Sequence, residues 1–249
     1  MSHVTVHATD PNGVCLCMVT ESGERTMRTA LRASRTHELS KGTIDAVRAD
    51  WAHFEGYYVY KPSIVQTMER LKGAGAKISF DFASFDVIES RRDLFEQLLE
   101  ARLIDVLFCN EDEAVAFGLR DGQRGACKEK PDARMFAREM AESYGLTVVV
   151  SRGAKGCVAA AWAADRGCVE EAEAPAAEVA VVDTIGAGDH FSAGFLWAIS
   201  HGASLGVACA CGCLTGAAAV QVSGADIGAD VMQQVAREVQ ALLEGRGDG

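Results

Sequence analysis

The residues best suited to chemistry lie in one string, Val181-Val182-Asp183-Thr184-Ile185-Gly186-Ala187-Gly188-Asp189-His190-Phe191-Ser192-Ala193-Gly194. A short apolar run meets three small residues, Gly186, Ala187 and Gly188, and apolar positions at helical spacing follow at Phe191, Phe195, Leu196 and Ile199. The turn therefore opens a helix. The first N–H groups of a helix have no partners inside it, and small residues let an anionic group approach them, so phosphate is the natural guest. Asp189 falls in the first helical turn, where a carboxylate stays ionised and can accept a proton from an attacking hydroxyl. An anion hole beside a base is an arrangement for phosphoryl transfer. Spacing alone also fits a tight strand-to-helix connection whose acid merely suits the helix dipole.

The full string resembles the signature of the PfkB sugar and nucleoside kinases, the ribokinase-like family: Asp-Thr-x-Gly-Ala-Gly-Asp-x-Phe followed closely by Gly. Every specified position is matched. Other glycine motifs fail, because a dinucleotide fingerprint would need Gly at Phe191 and a Walker loop would need Gly-Lys-Ser/Thr, which the sequence lacks. The resemblance implies an ATP-dependent phosphotransferase that uses Mg2+. Asp189 would be the general base, and the N–H groups of Gly186, Ala187 and Gly188 would stabilise charge on the transferring group. Asp183 and Thr184 would shape the anion-hole loop, around a monovalent cation as in some relatives.

Two further strings carry the resemblance. Asn110-Glu111-Asp112-Glu113 reads on its own as an N-cap with acids in a first helical turn. It also matches the family's Asn-x-x-Glu motif, which implies that Asn110 and Glu113 serve Mg2+, with Glu113 acting through metal-bound water. Ser151-Arg152-Gly153-Ala154-Lys155-Gly156 reads as a hairpin turn, and resembles the family's Thr-x-Gly-x-x-Gly turn with Ser151 keeping the hydroxyl. That likeness places Ser151, Gly153 and Gly156 along the phosphate path. Ala217 and Ala218 fall in a helix that walls the adenine pocket in the family, where Cys213 stands at a position that sugar kinases often fill with Asn.

The elements that must position these residues alternate between strand and helix. Gly13–Thr20 and Arg25–Leu31 read as a hairpin around the turn at 21–24, and the family resemblance makes residues 13–31 a lid over the acceptor. A helix-like stretch from Thr43 to Trp51 leads to an aromatic strand, Ala52–Val59. The spacing then predicts a helix ending at Gly73, a strand at Lys77–Phe82, a helix at Arg91–Arg102 and a strand at Ile104–Phe108. Residues 119–131 are polar and hold two Gly and a Pro, so they form a loop or insertion. Leu146–Val150, Cys157–Ala160 and Cys168–Ala172 read as strands, and helices follow the signature at 203–222 and 227–243. This order predicts the α/β class: a ribokinase-like, doubly wound, mostly parallel sheet with helices on both faces, a small β hairpin near the N-terminus, and ligands beyond the carboxyl ends of the strands. Asp81 and Asp86 lie at or just past one strand end, where a substrate or a metal-bound water could be held; they read more simply as loop-forming or capping acids and are left outside the candidate site.

A chain of 249 residues with 49% hydrophobic content fits one domain spanning 1–249. The net charge of -11 argues against a nucleic-acid partner or an anionic membrane surface. Nine cysteines, an odd number lying mostly in apolar runs, read as reduced thiols in a reducing compartment. Residues 190–225 lack Asp, Glu, Lys and Arg, yet Gly202 divides them into two buried helices rather than one membrane span. The opening residues lack a signal-peptide pattern, so a cytoplasmic location is expected, or an organelle if a targeting segment is missing.

The family's opening strand, with its substrate-binding Asp and Gly-Gly segment, is expected to be missing from this chain. Two readings follow. One is a working kinase for a sugar or nucleoside, with homodimers pairing through the lid as some relatives do; the other is a non-catalytic PfkB-like protein that binds nucleotide or serves in an assembly.

Overall fold

The computed structural model describes residues 6–19, 25–46, 48–118 and 132–245. Strands β1 (Val14–Val19) and β2 (Arg25–Ala30) pair antiparallel as a separate two-stranded sheet, with the turn between them outside the described residues. Two short helices, α1 (Ala33–Thr36) and α2 (Lys41–Ala46), lead to β3 (Trp51–Glu55), a 3-10 turn at Gly56–Tyr60 and α3 (Ile64–Gly73). Then come β4 (Lys77–Asp81), α4 (Phe85–Glu100), β5 (Val106–Asn110), α5 (Glu111–Gly118), α6 (Ala133–Tyr144) and β6 (Thr147–Ser151). The chain closes with β7 (Cys157–Ala163), β8 (Cys168–Ala174), α7 (Ala187–Ser200), α8 (Leu205–Ala219) and α9 (Ala229–Glu244). The polar stretch 119–131 lies outside the described residues.

Strands β3 to β8 form one six-stranded sheet in sequence order. Those from β3 to β6 run parallel, and β7 and β8 add antiparallel at one edge. Because side chains alternate along a strand, the sheet sorts its residues onto two cores. Ile78, Phe80, Leu107, Val148 and Val150 pack with the helices between the parallel strands, including Met68 of α3, Phe95 of α4 and Phe136 of α6. Val106, Phe108, Val149, Cys157 and Ala159 pack with α7, α8 and α9, the helices that follow β8. The expected α/β architecture is the observed one.

The two cores differ in grain. The first is built on large aromatics, with Phe82 packed edge-on against Phe95 at 4.9 Å between ring centroids. The second uses Ala, Gly and Cys, which lets α7 and α8 cross closely. A Cβ on Gly194 would stand 2.3 Å from Thr215 Oγ1, so only glycine fits there. The Thr215 hydroxyl in turn donates to the His190 carbonyl at 2.7 Å and ties the helices together. Cys209, Cys211 and Cys213 are buried on α8, and Cys213 Sγ donates to Cys157 Sγ at 3.7 Å. The eight described cysteines are free thiols.

Some boundaries differ from the sequence reading. The predicted helix over 43–51 ends at Ala46, because Trp51 opens β3 in register with Lys77. The aromatic strand stops at Glu55 and continues as a 3-10 turn, with Val59 buried between exposed tyrosines. Helix α4 starts at Phe85 rather than Arg91. Val87 and Ile88 are buried on its first turns, and the backbone is non-helical at Arg91 (φ -135), which breaks the apolar period there.

Candidate active site

A cavity of about 350 Å³ opens beyond the carboxyl ends of the parallel strands, the place where an open α/β sheet offers loops and helix N-termini to a ligand. Its walls come from separate stretches of chain. β3 and β4 end on Glu55 and Asp81, β5 and α5 bring Asn110 and Glu113, and β6 ends on Ser151. Helix α7 adds Gly188 and Asp189, and Met27 reaches the cavity from the hairpin.

Asn110 and Glu113 form a reciprocal capping box. The Glu113 N–H donates to Asn110 Oδ1 at 2.9 Å, and the Asn110 N–H donates to Glu113 Oε2 at 3.0 Å. The local reading of this string, an N-cap with a first-turn acid, is therefore correct as structure. The box also turns a buried carboxyl into the cavity. Burial raises the Glu113 pKa, and the hydrogen bonds from Asn110 work against that shift.

The signature loop is braced by Asp183. Its Oδ1 accepts the Ile185 N–H and its Oδ2 accepts the Gly224 N–H, both at 3.0 Å, so one side chain fixes two loops. Gly186 then caps α7 in the left-handed region at φ 75, where a side chain would also meet Ala225 at 3.0 Å. The Ala187 N–H turns back to the Thr184 carbonyl at 3.3 Å. Gly188 and Asp189 follow within the first helical turn, whose N–H groups have no partner inside the helix. Asp189 is exposed at the cavity.

Several carboxyls share this space. Asp81 is pushed up to about 7, by burial first and then by the charge of Glu113; the Ala83 N–H, donating to Oδ1 at 2.7 Å, opposes the rise. Glu55 is raised by burial and by Asp189. Beneath them on the same sheet face His53 pairs with Ser79 at 2.9 Å, and burial lowers the imidazole pKa.

Of the residues singled out from sequence, Asn110, Glu113, Ser151, Gly188 and Asp189 line one cavity. The others stand outside its lining. Gly186 and Ala187 form the turn into α7, and Asp183 and Thr184 belong to the loop before it. Gly153 opens a 3-10 turn that Gly156 closes, and Lys155 of that turn pairs with Glu111 at 3.4 Å. Ala217 and Ala218 lie in the last turn of α8, next to Gly216, which packs against Phe191 and Ala187. Sequence reasoning passed over Glu55 and Tyr57, left Asp81 outside the site as a loop-forming or capping acid, and reached Met27 only as part of the lid expected over 13–31. The signal for Glu55 was an acid ending an aromatic strand. Asp86 is exposed on the first turn of α4, outside the cavity lining.

A mostly parallel sheet with helices on both faces, an acid in the first turn of a glycine-capped helix and a small hairpin beside the cavity make up a ribokinase-like fold. Residues 1–232 match the pfkB family of carbohydrate kinases, and the chain belongs to that family. It is 27% identical over 229 residues to adenosine kinase 1 of Arabidopsis thaliana, covering 86% of this chain and 63% of that protein. The fold is similar to that of a probable sugar kinase from Rhizobium etli CFN 42 (TM-score 0.76, 24% identity, 93% of this chain and 66% of the other). It is equally similar to adenosine kinase from Sinorhizobium meliloti (TM-score 0.76, 22% identity, 92% and 66%). The chain thus spans about two thirds of the length of these relatives. No helix among the described residues is long and apolar enough to cross a membrane.

Proposed function

We propose that this chain is a kinase that moves the γ-phosphoryl group of ATP to a hydroxyl of a sugar or nucleoside. The observation that carries the reading is Asp189, exposed at the cavity in the first turn of α7, directly after Gly188. A carboxylate there can take the proton of an attacking hydroxyl, while the adjacent helix N-terminus receives the charge of the transferring group. The loop of Gly186, Ala187 and Gly188 forms the anion site, with the N–H of Gly188 the freer donor because that of Ala187 already reaches Thr184. Asp183 and Thr184 hold that loop in shape. Each Asp183 oxygen accepts one N–H, so this side chain braces the loop at which a monovalent cation would sit.

Ser151, Gly153 and Gly156 lie along the phosphate path, and Ala217 and Ala218 wall the adenine ring. The donor set fits Mg2+: Glu113 has one oxygen committed to its capping box and keeps the other, a hard oxygen ligand suited to the ion's hydration water. Asn110 holds Glu113 in place. When bound, the ion would neutralise phosphate charge. The reading covers 1–249 as one kinase domain with 13–31 as its lid, since Met27 of the hairpin lines the cavity. Val14, Leu16 and Met18 are exposed on the opposite side of β1 from Cys17, the register partner of Met27, and supply the surface for a homodimer through the lid. Small-molecule acceptors, no nucleic-acid or membrane partner, and a cytoplasmic location complete the proposal.

The second reading is a PfkB-like protein without catalysis that binds nucleotide or serves in an assembly. Calorimetric titration of Mg-ATP, followed by a coupled ADP-release assay over a panel of sugars and nucleosides, separates the two. Binding with acceptor-dependent ADP release is the expected result. Binding without release on any acceptor would establish the second reading, and no binding to the folded chain would overturn both.

A further inference from the structure

Side chains alternate along a strand, so the hairpin of β1 and β2 has two faces of different chemistry. Val14, Leu16 and Met18 share the exposed outer face, and Cys15 and Cys17 share the other. Cys17 is the register partner of Met27, and Cys15 that of Thr29. This second face looks toward the cavity. Met27 lines it, and Cys17 is half-buried. The Tyr57 pKa is raised by burial first and then by the charges of Glu55 and Cys15, which sets the Cys15 thiol near a phenol of the cavity wall. Both thiols are free, and the Thr29 hydroxyl donates to Cys15 Sγ at 3.3 Å.

Three sulfurs therefore share one small patch. Directly paired positions hold their Cβ atoms about 5 Å apart and diagonal ones about 7–8 Å, within reach of a long side chain. Positions two apart on one strand are separated by about 6.8 Å. Met27 is the direct neighbour of Cys17 and the diagonal neighbour of Cys15, and its thioether turns on three rotatable bonds. Thiolate and thioether are soft donors that select copper(I), whereas a hard ion takes oxygen and zinc closes its structural sites with four ligands. Among the described residues no group of three or more His, Cys, Asp or Glu could hold a metal ion, so a site here depends on the thioether.

We infer that Cys15, Cys17 and Met27 form a copper(I) site on the inner face of the hairpin, at the mouth of the cavity. The two thiols release their protons to water as the ion binds, and the thioether completes a three-coordinate sulfur set. The ion pins Met27 and stands at the mouth, so it bars the acceptor and slows turnover. Binding stands apart from the kinase reading; the loss of turnover rests on it.

The full chain, reduced and kept free of oxygen, is titrated with copper(I) against bicinchoninate as a competing colorimetric chelator. One ion per chain is expected, with X-ray absorption showing sulfur alone around it. Cys15→Ser and Cys17→Ser should each weaken binding by about 100-fold or more and Met27→Leu by about 10-fold, set against the roughly 10–100-fold that loss of a supporting group costs a metal site. Cys157 and Cys213, with sulfurs 3.7 Å apart in the second core, are the competing soft pair, so Cys157→Ser is the control and should bind copper as wild type does. ADP release over the panel of sugars and nucleosides is read by chromatography, since copper attacks coupling enzymes. It should fall to near background when wild type is loaded, and the same copper should leave the rate of Cys17→Ser where it was without copper.

Wild-type affinity in both cysteine variants, a loss in Cys157→Ser as large as theirs, or nitrogen and oxygen neighbours in place of sulfur overturns the site. Unchanged affinity in Met27→Leu overturns the three-sulfur set, and full turnover by the loaded chain overturns its place at the mouth. Copper binding that depends on Cys15 and Cys17, in a chain that releases no ADP with or without copper, sustains the site and sinks the kinase reading. Acceptor-dependent ADP release from a chain that binds no copper does the reverse.

Discussion

The two walls of the cavity hold their carboxyls in opposite ways. On the wall made by α5 and the start of α7, Glu113 is clasped by the Asn110 backbone, and behind the lining Asp183 accepts two N–H groups. On the wall made by β3 and β4, Asp81 accepts a single N–H and Glu55 stands at the rim. Apart from the exposed Asp189, the first wall is fixed by its own hydrogen bonds. The second leaves acceptor capacity open. On the proposed kinase reading, the first property would serve the phosphate, where preorganised donors stabilise charge.

The comparison can be broken at the point where the walls meet. Asp189→Asn removes the proposed base, so on the kinase reading turnover should fall by about 10³-fold, within the range for general-base loss, while Mg-ATP binding by calorimetry should be unchanged. Retention of most activity would remove Asp189 from the chemistry.

Asp183→Ala tests whether the first wall is preorganised. It strips the acceptors from the Ile185 and Gly224 N–H groups, and we expect a stability loss of about 2 kcal/mol in urea unfolding, with weaker Mg-ATP binding. Binding at wild-type strength would mean that the loop does not need its brace.

The second wall is sharpened by pH. The folded-state pKa of Asp81 lies above its ordinary value of 3.8, at about 7, through burial and the charges of Glu113, Asp189 and Glu55. Between those limits the folded chain holds a proton that the unfolded chain has released, so this group's contribution to stability falls as pH rises from about 4 to about 7. Asp81→Asn cannot titrate. Its stability relative to wild type should therefore improve across that window, on the order of 1–2 kcal/mol once solvent screening is allowed for. Thermal unfolding at several pH values checks this, and parallel curves for the two proteins would contradict it.

The smallest effect is expected at the helix cap. Asn110→Ala opens the capping box and should cost about 1 kcal/mol. Urea unfolding measures the loss.

The legible part of the site was the part whose geometry is local. Asn110 and Glu113 lie three residues apart on one helical turn, and Gly186 to Asp189 form one turn and its helix start, so spacing alone places these groups together. Strand and helix order was readable for a related reason, since each element carries its own period; it blurred at Glu55 and Arg91, where packing against other elements ends one run and bends another.

The sequence by itself determined the α/β alternation, the family signature and the glycine-capped start of α7 with Asp189 in its first turn, because each depends on contacts within a few residues. Only the tertiary structure decided that Glu55 and Asp81 are register partners, that Asp183 reaches Gly224 across forty-one positions, and that Met27 of the hairpin reaches the same cavity. Those contacts depend on strand pairing and on the close crossing of α7 and α8 at Gly194 and Thr215, and no spacing along the chain encodes them.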